Sequence, residues 1–446
     1  MAKTSGITSS RHHTHTLTLW GIILLLAAGV VTLSACGAKK ASTNSPTQTP
    51  ASATAGAPQT FPTVTTAADI KTPDQWQSTF PEEVSSFLSD TTPLAPVKSY
   101  LDIFPFLKTI YAGSAFAKSY NTPQPHQSAL QDAKDSPRIG PKSTATCYSC
   151  KTPQYAVAQQ TQGEGIASTT FGAMADNMTM SITCYDCHKN YPGKGSQDKS
   201  QDNGTFLGST REAFTTAFAS TIKAGDMKPA NAACGQCHNE YYFDPKTGAV
   251  AMPKNMTDPF QIFAYYNKIG LTDYVNPNTG ANMLKVQHPE YDMCADNNSQ
   301  HASLTCADCH MEKNPDGTTN HKMTGPLYSS EIRTTVCLSC HTGTTDAAFL
   351  ALLQQIKAAF LAQITSTGNE MAKFTDQLAA ANQSGKYTAK QLDPIRAQER
   401  EAQWYLDWVL TENSKGLHNP TETSSCLSHS LEVAQAGEAA LAKLPQ

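Results

Sequence analysis

Five short stretches place two thiols beside a metal-binding side chain: Cys147-Tyr148-Ser149-Cys150-Lys151, Cys184-Tyr185-Asp186-Cys187-His188, Cys234-Gly235-Gln236-Cys237-His238, Cys306-Ala307-Asp308-Cys309-His310 and Cys337-Leu338-Ser339-Cys340-His341. A single Cys-x-x-Cys pair is ambiguous among a redox disulfide, half a zinc site and a haem attachment point. Four Cys-x-x-Cys-His copies resolve it. Two thiols at that spacing can add to the two vinyl groups of one haem, and the adjacent imidazole then ligates the iron. The first copy keeps both thiols but has Lys151 where the imidazole belongs. A lysine ligates only as the neutral amine, a form that a nearby ferric iron favours. A zinc or disulfide role for Cys147 and Cys150 is the other reading, weakened by the four companions.

Of 446 residues 39% are hydrophobic, a modest fraction for one large core, and five haems would supply filling that side chains do not. The net charge of −4 implies no nucleic-acid partner. Ten of the thirteen cysteines lie in the motifs, leaving Cys36, Cys294 and Cys426. Haem thioethers form outside the bacterial cytoplasm, so an export signal is required. Arg11, the apolar run from Leu17 to Leu33 and the sequence Leu33-Ser34-Ala35-Cys36-Gly37 provide one. They predict a lipoprotein signal peptide over residues 1–35 and a lipid anchor on Cys36 at the outer face of the cell membrane. An uncleaved transmembrane anchor is the alternative. Residues 36–68 are rich in Ser, Thr, Pro and Ala, lack acids and read as a flexible tether.

Residues 69–345 hold every haem motif and many Pro, Gly and Asn residues, which predicts loops and short helices wrapped on cofactors. Residues 346–446 read differently. Phe349, Leu350, Leu353, Ile356, Phe360, Leu361 and Ile364 recur at helical spacing, and a second helix from about Leu392 to Glu412 carries Trp404, Tyr405, Trp408 and Val409. Asn382-Gln383-Ser384-Gly385 is a turn signal between them. These stripes serve either as core or as a subunit interface. No strand pattern is strong enough to predict a sheet, so the fold class is mainly α, a multihaem cytochrome c fold with long C-terminal helices.

Ten histidines follow Cys36. His188, His238, His310 and His341 are the motif ligands, and four bis-histidine haems would need four more from His126, His288, His301, His321, His418 and His429. The lysine-bearing haem need have no protein ligand on its far side, and an open iron position distinguishes a catalytic haem from an electron carrier.

Beyond the motifs stand Tyr111-Ala112-Gly113, Tyr120-Asn121, the run Cys237-His238-Asn239-Glu240-Tyr241-Tyr242-Phe243 and the run Leu284-Lys285-Val286-Gln287-His288-Pro289-Glu290. With them the chain resembles, from about Pro73 to Pro420, the pentahaem cytochrome c nitrite reductases, which reduce nitrite to ammonium. The resemblance implies five covalently bound haem c groups and a catalytic set of Lys151, Arg138, Tyr241 and His288. It implies distal ligands His321 for the second haem, His126 for the third, His418 for the fourth and His301 for the fifth. One Ca²⁺ would be held by the Glu240 carboxylate, the Gln287 side chain and the backbone carbonyls of Tyr241 and Lys285, an all-oxygen set that suits a hard cation. It also implies a homodimer packed through the helices after Asp346 and a membrane quinol-oxidising multihaem cytochrome as electron donor. The chain departs from the family at Gln124-Pro125-His126, where Arg-Gly-His is usual, in a short segment between Arg138 and Cys147, and in the closeness of His301 to Cys306. His429 is left unassigned and exposed, and Cys294 and Cys426 form either a disulfide or two free buried thiols. The rival functions are a pentahaem electron carrier and a related hydroxylamine- or sulfite-reducing enzyme.

Overall fold

The computed structural model describes residues 64–91, 93–188, 211–295, 301 and 303–445. The expected signal peptide, Cys36 and most of the expected tether lie outside the described residues. Packing begins at Val64, ahead of the expected boundary at Asp69: Val64 is buried against Ile70, Ala156, Val157 and Tyr185.

The described residues from 64 to 345 form a string of short helices and turns, as the Pro- and Gly-rich composition predicts. Among them are α1 (Pro81–Leu88), α2 (Ala129–Asp135), α3 (Pro153–Gln162), α4 (Pro229–Gly235), α5 (Pro259–Lys268) and α6 (Glu290–Ala295). Four of these six begin on a proline, whose fixed φ and missing N–H suit a first helical turn. Two antiparallel pairs also form: β1 (Tyr242–Phe243) with β2 (Val250–Ala251), and β3 (Tyr274–Val275) with β4 (Asn282–Met283). At two residues per strand they leave no alternation to read in sequence.

Three long helices follow the last motif: α7 (Asp346–Gln383), α8 (Ala389–Thr411) and α9 (Pro420–Ala442). Each start is written locally. The Thr345 side chain caps Ala348, a Thr388/Gln391 capping box opens α8, and Asn419 accepts from the Glu422 N–H with Pro420 in the first turn. The α7–α8 turn runs through Gly385 at φ 65°, the left-handed region glycine tolerates. The helices pack closely, since a Cβ at Gly437 would collide with the Phe374 ring. Trp404, Trp408, Phe374, Leu378 and Leu406 are fully buried between them. Each such apolar side chain contributes about 1.5–3 kcal/mol on burial. The α7 stripe divides into two uses. Ile364, Met371, Phe374 and Leu378 are core, whereas Leu350, Leu353, Ile356 and Leu361 stay half-exposed.

One face of α8 couples this bundle to the motif-bearing region. Glu399, Gln403 and Asp407, four residues apart and so on one side of the helix, have no exposed surface. Asn276 donates to Glu399 at 3.2 Å, Gln403 donates to the Tyr274 hydroxyl at 2.7 Å and to the Leu284 carbonyl at 3.1 Å, and Asp407 accepts from the Tyr111 hydroxyl. Asp407 also lies 3.3 Å from the Lys285 Nζ. This polar stripe pins the hairpin and the Leu284–Glu290 stretch on which several candidate site residues sit.

Burial pushes Glu399 up to about 7, against the Arg396 charge and the Asn276 hydrogen bond that lower it. A carboxyl raised on folding stabilises the fold below its unfolded value near 4.5, and that contribution is lost as pH rises through about 7. Glu399→Gln should therefore raise stability at pH 8 by about 3 kcal/mol and change little at pH 4.5. Denaturant unfolding at the two pH values checks this.

Candidate functional site

The attachment loops are built by short-range rules. Cys184–Cys187 and Cys306–His310 form single helical turns; Thr305 and Asp308 exchange hydrogen bonds at the start of one, and at the other the Thr183 N–H donates to the Asp186 carboxylate at 2.7 Å. The first motif begins in a tight turn over Ala145–Tyr148, the third ends α4, and the fifth runs through a π-type turn at Arg333–Cys337. All ten motif cysteines line one continuous cavity of about 2470 Å³, together with Lys151 and every described histidine except His429. A single small-ligand site occupies about 300–1,000 Å³, so this space has room for several cofactors. The Cys150 sulfur lies in hydrogen-bond contact with Cys237, and Cys234 with Cys306. The first, third and fourth motifs are thus neighbours in that order.

Five pairs of imidazoles come within 6.3 Å, and four of them join a motif histidine to a distal one across this cavity; the fifth, His238 with His288 at 5.8 Å, meets at one Glu290 oxygen. Ring centroids are 6.0 Å apart for His188 and His321, 6.1 Å for His126 and His238, 6.0 Å for His310 and His418, and 6.3 Å for His301 and His341. A metal about 2 Å from a ring nitrogen on either side puts the centroids about 6 Å apart. The residues therefore fit haem iron between each of these four pairs, which are those the resemblance implies. Burial lowers His126, His188 and His310 to about 4, which keeps each imidazole neutral, the form that ligates. Further partners orient the rings. His321 Nδ1 lies 2.8 Å from the Thr319 carbonyl, and His418 Nδ1 lies 2.5 Å from Glu412 Oε1.

Around Lys151 the wall differs. Arg138, Tyr241 and His288 line the same cavity as Cys147, Cys150 and Lys151. Lys151 and His288 are within electrostatic reach of one another, as are Tyr241 and the pair Cys147 and Cys150. The Arg138 guanidinium stacks 4.3 Å from the Phe116 ring centroid, with its Nε 3.4 Å from Ser136 Oγ. Of the two adjacent tyrosines, Tyr242 turns inward to share a 3.0 Å hydrogen bond with the Tyr265 hydroxyl, and Tyr241 faces the cavity.

Three residues at this site carry no motif. Glu290 Oε2 lies 3.6 Å from His238 Nδ1 and 3.9 Å from His288 Nδ1, contacts of ion-pair length. Burial alone would raise this carboxyl, but the two imidazoles outweigh burial and hold it well below the usual range. The Lys285 ammonium is buried over the rings of Tyr111 and Phe116, 5.0 and 4.9 Å from their centroids, and is paired with Asp407. Sequence reasoning assigned Lys285 only a carbonyl role. Tyr120, in the quoted Tyr120-Asn121 stretch, lines the cavity beside Arg138.

The four residues assigned to a cation also converge. Glu240 accepts from the Gln287 N–H at 2.7 Å and from the Tyr266 hydroxyl at 3.1 Å, and the Gln287 amide sits 3.0 Å from the Lys285 carbonyl. Burial drives Glu240 well above the usual carboxylate range against the Gln287 hydrogen bond, and the charges of Asp292 and Asp273 add to it. Oxygen donors among crowded buried acids are the chemistry of a hard-cation site.

One expectation needs correction, and one open alternative is decided. His429 is half-buried rather than exposed, 2.9 Å from Glu401 and packed on Tyr405, outside the cavity. Cys294 and Cys426 are both free: Cys294 lines the cavity, whereas Cys426 is fully buried in the helical core.

The chain matches the cytochrome c552 family over residues 72–446. Among solved structures it is similar to the catalytic subunit of the cytochrome c nitrite reductase from Desulfovibrio desulfuricans ATCC 27774, a structure described for its two calcium sites. The TM-score is 0.72 at 23% identity, covering 84% of this chain and 86% of that one, which shows a shared fold. The outer cell wall cytochrome OcwA aligns at 17% identity over 70% of this chain and 48% of that chain, with a TM-score of 0.39. An undecahaem S-layer cytochrome from Carboxydothermus ferrireducens aligns at 17% identity over 73% and 42%, with a TM-score of 0.34.

The shared carboxylate yields a direct test. Glu290→Gln keeps the shape but removes the charge that supports His238 as a donor, so it should raise the reduction potential of one haem and leave the others in place. Potentiometric titration followed by absorbance checks this.

Proposed function

The chain belongs to the cytochrome c552 family, and from that membership we propose that it is an ammonia-forming nitrite reductase whose reacting haem is ligated by Lys151. One observation carries the reading. Eight of the ten described histidines stand in four facing pairs at 6.0–6.3 Å, and Lys151 has instead Arg138, Tyr241 and His288 in its wall. Five haem c groups attach through the ten motif cysteines, four of them between imidazole pairs.

Nitrite, six electrons and eight protons give ammonium and two waters. Haem iron, when bound, supplies the redox chemistry and a coordination position for the anion. The chain's own residues handle charge and protons. Arg138 attracts the anion and donates hydrogen bonds to the oxygens that must leave. His288 delivers protons to those oxygens, and Glu290 behind its Nδ1 stabilises each proton it carries. Tyr241, which lines the same cavity, donates a further hydrogen.

The rest of the reading concerns placement. One Ca²⁺, held by Glu240, Gln287 and the carbonyls of Tyr241 and Lys285, stiffens the strand-like stretch carrying Tyr241 against the one carrying His288. Cys36 is lipidated and tethers the protein to the outer face of the membrane, where a quinol-oxidising multihaem cytochrome supplies electrons. The half-exposed apolar residues of α7 pack across a two-fold axis in a homodimer.

Purified protein with a reduced dye should convert nitrite to ammonium stoichiometrically, and release of nitric oxide or no turnover would sink the reading. Arg138→Ala and His288→Asn should each cost about 3 kcal/mol in the transition state, a rate loss of about a hundredfold, with haem content unchanged.

A further inference from the structure

Arg211 is a buried cation behind the cavity wall, 5% exposed, that touches the attachment loops of three motifs at once. Its Nε donates to the Ser149 carbonyl at 2.6 Å, and a terminal nitrogen reaches the Thr152 carbonyl at 3.5 Å. Those two carbonyls bracket Lys151 in the chain. The same terminal nitrogen pairs with Asp186 Oδ1 at 2.5 Å. The Arg211 backbone N–H donates to Gln236 Oε1 at 3.1 Å, and the Gln236 amide donates to the Asp186 carbonyl and, at 2.8 Å, to the Ala233 carbonyl. Ser149, Asp186 and Gln236 occupy the same place in three Cys-x-x-Cys loops, the residue before the second cysteine.

This arrangement does more than fill space. A planar guanidinium presents donors in fixed directions, so it can set the spacing of groups that a flexible ammonium could only neutralise. The loop's other backbone anchors are local: the Ser149 N–H on the Thr146 carbonyl at 3.0 Å, the Lys151 N–H on the Tyr148 carbonyl at 2.9 Å and the Thr152 side chain capping α3 through the Gln154 N–H at 3.2 Å. Each reaches no further than three residues, whereas Arg211 ties the carbonyls of this loop to the second and third motifs.

We propose that Arg211 is the positioning residue for Lys151: by holding the carbonyls on either side, it sets the depth and direction from which the amine enters the cavity and ties that loop to the second and third motifs. The inference rests on Lys151 being the iron ligand.

The test compares Arg211→Lys, which keeps a charge beside Asp186 but loses the fork, with Asp186→Asn, which keeps the fork but loses the ion pair. Haem load is read by mass, the iron ligation of the Cys147–Cys150 haem by electron paramagnetic resonance and absorption, and turnover by nitrite assay. Arg211→Lys should change the signal of that one haem and lower turnover on the order of a hundredfold, the scale of a misplaced reacting group. Asp186→Asn should lower the melting temperature and leave that signal as in the parent. Loss of only the Cys147–Cys150 haem in Arg211→Lys is the extreme form of the same result and supports the proposal. A parent-like signal in Arg211→Lys, an equal signal change in Asp186→Asn, or loss of haem from several motifs in Arg211→Lys would overturn it. Lys151→His separates the premise: if it leaves the parent signal intact, Lys151 is not the ligand, whatever Arg211 does.

Discussion

Two imidazoles can share one iron only when their rings stand about 6 Å apart, a spacing that the chain reaches by bringing distant segments into register. Four such spacings, at 6.0–6.3 Å, organise this molecule. The motif-bearing region must bring rings from distant segments into register while leaving their centres open. It therefore has few long helices and many capped single turns. The apolar core sits largely elsewhere, in the three C-terminal helices and the segments packed on them.

That division of labour explains the polar stripe on α8. A cavity wall of loops needs rigid support, and buried carboxylates and amides supply direction that apolar contacts do not. Asp407 fixes Tyr111 and Lys285, Gln403 fixes Tyr274 and Leu284, and Glu399 fixes Asn276. Lys285 leads directly into the stretch that carries Gln287, His288 and Glu290. The depth of the helical core thus reaches the proposed chemistry through a few hydrogen bonds. Glu399 is held above its usual range as the cost of this arrangement.

What was legible in the sequence followed from local rules. The attachment loops, the apolar stripe of α7, the helix over about Leu392 to Glu412 and the turn at Gly385 depend on neighbours within a few residues, whereas α9 was not anticipated. Pairings across the chain do not follow from such rules. Nothing in the spacing of His126 or His418 says which motif histidine each faces, and those pairs came from family resemblance. The two-residue strands carry no period, so no sheet could be foreseen. Arg211 is a single arginine without a motif, and its role depends on three loops meeting in space. Glu290 was quoted in a matching stretch, yet its position between His238 and His288 is a tertiary fact. His429 looked exposed because nothing local signals its packing against Tyr405.

The central claim is that one iron differs in kind from the other four because Lys151 replaces the motif histidine and the imidazole in its wall, His288, serves the substrate instead of the iron. The most direct measurement is uptake of an external ligand by the oxidised wild-type protein, titrated with cyanide and followed by electron paramagnetic resonance with haem quantified per chain. The account predicts that one iron per chain binds the ligand and that the paired-histidine signals stay fixed. Uptake by none, or by an iron between two histidines, would contradict it.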